Sequence, residues 1–167
     1  MSETGKETRT RTFSWEDPRA LAEAGRGLPG LEYLQKIVAG ELPRPPIGAL
    51  MNFAITELSE GRAVFTVEPA EYHYNPIGVV HGGLAATLLD SAMGCAVHSM
   101  LPAGAGYTTL EIKVNYVRAM TAETGTVRCE AKAIHIGGRT ATAEGRVLDE
   151  SGKLYAHGTT TCIIFRP

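Results

Sequence analysis

An antiparallel sheet wrapped around one long central helix, an α+β arrangement, is the fold class this sequence predicts. Three observations carry the prediction. One segment, from Gly82 to about Met100, is apolar, rich in Ala, Leu and Met, and long enough for several helical turns. Other segments alternate or run apolar in the manner of strands and are separated by short turns. Their order, β-β-α-β-β-β-β, makes most connections hairpins and leaves a single helix for the sheet to cover.

Taken in order, residues 1 to about 28 are polar and Gly-rich with no sustained period, and read as a loose arm. In LEYLQKIVAGELPRPP, Leu31, Leu34 and Val38 have helical spacing, with Gly40 and Pro43 as stop signals and Pro43, Pro45 and Pro46 as a linker. The expected division is an arm over 1–47 and a folded domain over 48–167. MNFAITEL and RAVFTVEP flank the turn Ser59–Gly61 as a hairpin. The loop AEYHYNPIGVV leads to the helix, which Pro102 closes. In YTTLEIKVNYV, Leu110, Ile112, Val114 and Tyr116 fall on one face and Glu111, Lys113 and Asn115 on the other. TVRCEAKAIHI turns at Gly137-Gly138 into RTATAEGRVLD, and ESGK turns into LYAHGTTTCIIF.

The 167 residues fit one domain, and the net charge of −2 gives no basic excess for nucleic acid or an anionic membrane surface. Cys95, Cys129 and Cys162 have no CxxC spacing, so neither a disulfide framework nor a zinc site is indicated. The expectation is a reducing, cytoplasmic home, with no metal. Asp90, His98 and the many small residues argue against a membrane span for 84–101.

The chemistry concentrates in YNPIGVVHGGLAATLLDSAMG, Tyr74 to Gly94. Gly82 and Gly83 open the helix, where N–H groups lack intrahelical partners and the helix dipole favours an oxyanion. Asp90 is the only formally charged side chain between Gly82 and Leu110. A carboxylate in a nearly dry helix must be paired, or its affinity for protons rises and it serves as a base. Oxyanion donors with such a carboxylate suit hydrolysis of an activated acyl group. Asp90 lies eight residues beyond Gly82, roughly 12 Å along a helix axis. Both groups must sit within about 3 Å of the reacting atoms. One chain therefore cannot supply both, and a two-fold homodimer with two composite sites is predicted.

These residues resemble the hotdog-fold acyl-CoA thioesterases of the PaaI-like, phenylacetic acid degradation branch. The resemblance spans about Gly48 to Phe165 and is carried by NPIGVVHGGLAATLLDSAMG, YTTLEIKVNYVRAM and GRTATAEGRVLDESGKLYAHGTTTCII. It implies that Asp90 is base or nucleophile, that the Gly82 N–H polarises the thioester carbonyl, and that His81 fixes the loop near the thioester. It implies further that Asn75 helps place the carbonyl or the water, and that Thr109, with Thr108 as the adjacent alternative, orients water. Gly83 would adjoin the substrate. Gly94 stands where Glu-type relatives carry threonine, which assigns the chain to the Asp type. CoA enters as part of the substrate, with no separate cofactor, and its phosphates would meet Arg139, Arg118 or Lys113. Tyr72, Tyr74, Leu50, Met51 and Phe53 are apolar or aromatic candidates for lining the acyl site, with the Leu31–Ala39 helix over one end. Dimers of dimers occur in the family.

Two other readings compete. A hotdog dehydratase or hydratase would pair His81 with Asp90 for proton transfer, although the HGG-to-Asp spacing follows the thioesterase pattern. A non-catalytic acyl-CoA-binding module would lack turnover; the arm is too small and too neutral for a DNA-binding domain. A serine or cysteine hydrolase through Ser91 or Cys95 has no GxSxG elbow, and Cys95 with His98 reads as a packing pair.

Overall fold

The computed structural model describes residues 7–166. The helices are α1 (Pro18–Gly25), α2 (Gly30–Val38), α3 (Pro46–Met51) and α4 (Gly82–His98). The strands are β1 (Phe53–Ser59), β2 (Arg62–Val67), β3 (Gly106–Tyr116), β4 (Val127–Ile136), β5 (Thr140–Asp149) and β6 (Leu154–Phe165). They form one antiparallel sheet in the order β1-β2-β4-β5-β6-β3. The strand and helix order expected from the sequence is borne out, and so is the hotdog fold class.

The core lies between α4 and the sheet. Leu84, Leu88, Leu89, Ala92 and Met93 on the helix are buried against Phe65, Val127, Cys129 and Val147 on the strands. Each fully buried Leu or Met contributes on the order of 1.5–3 kcal/mol relative to exposure. Gly145 and Gly158 are cross-strand partners beneath the helix. A Cβ at Gly145 would lie 2.9 Å from the Leu89 side chain, so this glycine sets how closely α4 approaches the sheet.

Four features differ from the sequence reading. The arm is not loose throughout: residues 7–17 form no helix or strand, but Asp17 caps α1 by accepting from the Arg19 N–H at 2.9 Å, with Pro18 at the first helical position. Asp-Pro was the available signal, but eight residues with one buried leucine leave little periodicity to read. The proline linker is part helix, because Pro46 starts α3 and Asn52, at φ 57°, ends it in the left-handed region. The expected division at 47/48 thus falls inside α3, and β1 starts at Phe53 rather than Met51. Finally, β3 does not alternate throughout. A bulge between Thr109 and Glu111 takes Leu110 out of the pattern and leaves it 58% exposed.

The segment ahead of β1 packs on the sheet and helix. Gly30 donates its N–H to the Leu101 carbonyl just past α4, at 3.0 Å. Arg11 donates to the carbonyls of Leu50 and Ala49 in α3, and its guanidinium lies 4.3 Å from the Tyr72 ring centroid. Buried His73 accepts the Ala70 N–H at Nδ1 and reaches the Met51 carbonyl through Nε2, each at 3.0 Å. Its own carbonyl accepts the His81 N–H at 2.8 Å. His73 therefore ties the end of α3 to the loop that starts α4. No single stretch of sequence marks that link, because its partners lie on separate segments.

Candidate active site

The site begins with the cap of α4. His81, in extended backbone (φ −62°, ψ 134°), precedes the helix, and its Nδ1 accepts the Gly83 N–H at 2.8 Å. Nδ1 must hold a lone pair to do this, which puts the imidazole proton on Nε2. The Gly82 N–H donates to no acceptor among the described residues. Of the two glycines, then, Gly83 is occupied by the cap and Gly82 keeps a donor available. A Cβ at Gly82 would meet the Tyr116 ring at 3.0 Å, so β3 runs directly beside this end of the helix.

Asn75 stands in the preceding loop, which closes through a bridge between Tyr74 and Val80. Its Oδ1 accepts the N–H groups of Ile77 at 3.1 Å and Val79 at 3.3 Å. The side chain thereby shapes the turn and leaves its amide NH2 for other partners. Tyr74 is directed elsewhere: its hydroxyl accepts the Ala122 N–H at 2.9 Å, and it does not line the cavity that holds Asp90.

Asp90 sits two turns along α4 and is exposed, where a buried carboxylate was expected. The reason is that the sheet covers only part of the helix. Gly83, Ala86, Thr87, Asp90 and Ser91 form a face of small and polar residues that no described element buries. The Thr109 hydroxyl donates to Asp90 Oδ1 at 2.9 Å, so the geometry selects Thr109 over the exposed Thr108 as its neighbour.

Beside Asp90 and Thr109 opens an apolar cavity of about 330 Å³. Phe53 and Phe65 line it from the sheet, Leu34 and Ile37 from α2, and Ile47 from α3. Of the aromatic and apolar candidates named above, Phe53 is the one that lines it. Cys95 and Tyr107 also face it. Burial, with the Asp90 charge adding to it, pushes the Cys95 thiol up to about 12, so it stays protonated near neutral pH and is a poor nucleophile. His98 packs between the rings of Tyr33 and Tyr107, and its burial lowers its proton affinity. Both observations fit packing.

A second, open cleft contains Gly82, Tyr116, Arg118 and Tyr155. Arg118 donates to the Leu154 carbonyl at 2.6 Å and lies over Tyr155 at 5.7 Å. Arg139 is exposed at the β4–β5 turn, and Lys113 is exposed on β3. Among the described residues there is no metal-ligand cluster, and no helix is long and apolar enough to cross a membrane.

The structure thus joins Asp90 to Thr109 and His81 to Gly83, and separates the two pairs along the helix. Its two poles are a free N–H at a helix start and a carboxylate beside an apolar cavity. Comparison with known proteins gives the family. Residues 77–156, which include His81, Gly82, Gly83, Asp90 and Thr109, match the Thioesterase superfamily. A 1,4-dihydroxy-2-naphthoyl-CoA hydrolase of Listeria monocytogenes is 32% identical over 104 residues, 62% of this chain and 83% of the relative. A conserved protein of Pseudomonas aeruginosa of known structure is 33% identical, with a TM-score of 0.68 over 73% of this chain and 95% of that one. A phenylacetic acid degradation-related protein from Ralstonia eutropha is 26% identical, with a TM-score of 0.71 over 78% and 98% of the two chains. The chain belongs to the thioesterase superfamily and is an enzyme of the hotdog fold, with PaaI-type proteins among its structural neighbours.

Proposed function

We propose that this protein hydrolyses acyl-CoA or acyl-carrier-protein thioesters to the free acid and thiol, in composite sites of a homodimer. The observation that carries the proposal is the Asp90 carboxylate, held by Thr109 at the opening of an apolar cavity. In one route Asp90 takes a proton from water as the water oxygen adds to the acyl carbon. In the other, a carboxylate oxygen of Asp90 adds first; the C–S bond breaks to give a mixed anhydride, which water opens. In the first route the proton taken up by Asp90 passes to the departing thiolate; in the second the thiolate leaves unprotonated and takes a proton from the water that opens the anhydride. In both, the Gly82 N–H stabilises the oxyanion. His81 keeps the loop in register by holding Gly83, and the free NH2 of Asn75 helps orient the carbonyl or the water. Arg118, beside Gly82, and Arg139 are the proposed contacts for the CoA phosphates.

Two contacts between α4 and β3 support the dimer. Asp90 meets Thr109, and Gly82 meets Tyr116. The midpoint of the first and third of these positions along α4 is Ala86, on its uncovered face; the midpoint on β3 lies between Ile112 and Lys113. β3 is a terminal strand of the sheet, and among the described residues its outer edge is unpaired. A two-fold axis near that midpoint pairs β3 with its copy and brings Gly82 of one subunit toward the partner's Asp90. Setting Ile112 against the partner's Ile112 puts Glu111 opposite the partner's Lys113, a favourable cross-strand pair. The pairing also covers Leu110 and Tyr116, which are 58% and 59% exposed in the single chain.

The test is thiol release from a panel of acyl-CoAs, with Asp90→Asn as control and the mass in solution measured alongside. Turnover by the native protein that Asp90→Asn abolishes supports the proposal. Full turnover from a verified monomer refutes the composite site, and unchanged turnover in Asp90→Asn refutes the role of Asp90.

A further inference from the structure

We infer that the α2–α3 roof and the pair Cys95–Tyr107 set the acyl group this enzyme accepts: an uncharged single ring or medium-length chain, with long chains excluded. The inference rests on the thioesterase reading and extends it to the substrate. The direction of the cavity follows from the packing of α4 against β3. Going forward along α4 from Asp90 to Cys95 corresponds to going back along β3 from Thr109 to Tyr107, whose ring lies over Gly94. An acyl carbon reacting at Asp90 therefore sends its chain toward Cys95 and Tyr107, about 7 Å farther along the helix axis. There Cys95 packs against the separate cluster of Leu21, Leu34 and Ile37, which closes the far end. The cavity volume of about 330 Å³ is at the low end of the roughly 300–1,000 Å³ common for small-molecule sites. Apart from Asp90 itself, its only charged lining residue is Arg44, which is exposed, so a charged tail finds no buried partner.

The roof is held at a fixed height. Gly30 at the start of α2 donates to the Leu101 carbonyl, and a Cβ there would lie 1.8 Å from the His98 carbonyl oxygen. That acceptor is backbone, so a larger residue must lift α2. At the other side of the roof Arg11 holds the Ala49 and Leu50 carbonyls at the end of α3. Size selection thus comes from a segment ahead of β1, outside the stretch that matches the superfamily.

The experiment measures kcat/KM for acetyl-, octanoyl-, benzoyl- and hexadecanoyl-CoA in the native enzyme and in Leu34→Ala, Gly30→Ala and Cys95→Phe. Native kcat/KM should rise about three- to fivefold per methylene buried until the cavity is full, and then fall. Leu34→Ala and Gly30→Ala should move the optimum to longer chains. Cys95→Phe should move it to shorter ones, with octanoyl-CoA losing more than acetyl-CoA. A best rate on hexadecanoyl-CoA in the native enzyme, or one shared profile in all folded variants, overturns the inference. Binding of the octanoyl thioether analogue of the thioester to Asp90→Asn, and its loss in Asp90→Asn/Cys95→Phe, is followed by calorimetry. Length-dependent binding without hydrolysis by the native protein would sustain the cavity assignment and defeat the hydrolase reading. Hydrolysis indifferent to chain length and to these variants would do the reverse.

Discussion

The two poles of α4 are built on opposite terms. At Gly82 the backbone supplies the chemistry: a free N–H at the helix start, an open cleft beside it and an aromatic ring against it. At Asp90 a side chain supplies it, oriented by one hydroxyl and opening on an apolar cavity. Among the described residues the donor pole opens on a cleft apart from the apolar cavity, and the acid pole has no helix-terminal N–H. On the proposed reading each is half of a hydrolytic site, and the contrast then accounts for the face of small and polar residues between them that the described sheet leaves uncovered.

The largest effect should come from the acid pole. Asp90→Ala and Asp90→Asn should each lower kcat by at least about a hundredfold, the scale of a positioned base or nucleophile. Steady-state thiol release measures it, and solvent oxygen-18 entering Asp90 in a single turnover would identify the nucleophilic route. The donor pole comes next. With Gly82→Ala as the control for the added Cβ, which would meet Tyr116 at 3.0 Å, Gly82→Pro removes the N–H at a first helical position that tolerates proline, after a residue already extended. A loss of about a hundred- to a thousandfold in kcat is expected. Mixing this variant with Asp90→Asn should restore activity, because half of the composite sites in the heterodimer are then intact. Failure to complement, with heterodimers verified by mass, would break the comparison between the poles.

A smaller effect is expected at Thr109. Thr109→Val removes a hydrogen bond to a charged group and should cost about tenfold in kcat with little change in KM. Thr109→Ser, which keeps the hydroxyl, should recover most of it. The smallest effect on turnover concerns the edge that brings the poles together. Lys113→Glu places like charges opposite one another in both symmetry-related pairs and should weaken self-association about two- to thirtyfold, the range of two cross-strand pairs. Adding Glu111→Lys should reverse the loss in a sedimentation or dilution assay. A doubly substituted chain weaker than the single would exclude this register.

Much of this was legible in the sequence, for reasons that differ by residue. The helix was legible because its composition, length and closing proline agree, and the strands because their turns are marked by Gly and polar residues. His81, Gly82, Gly83 and Asp90 stand out as polar and flexible positions in an apolar run. Leu110 was misassigned because a bulge changes the face of a side chain without changing the sequence period. α3 was missed because six residues behind two prolines carry too little pattern, although proline at its start and asparagine at its end were both present.

The sequence by itself determined the order of the elements, the chemistry available at the start of α4 and the distance from Gly82 to Asp90, because a helix fixes rise per residue whatever surrounds it. Only the tertiary structure decided which residues meet. Thr109 reaches Asp90 from a strand nineteen positions later, Tyr116 lies over Gly82, and α2 roofs the cavity from a segment far ahead of both. It also decided that Asp90 is exposed in the single chain. Burial depends on what packs over a residue, and no local pattern states which face of an apolar helix the sheet will leave open.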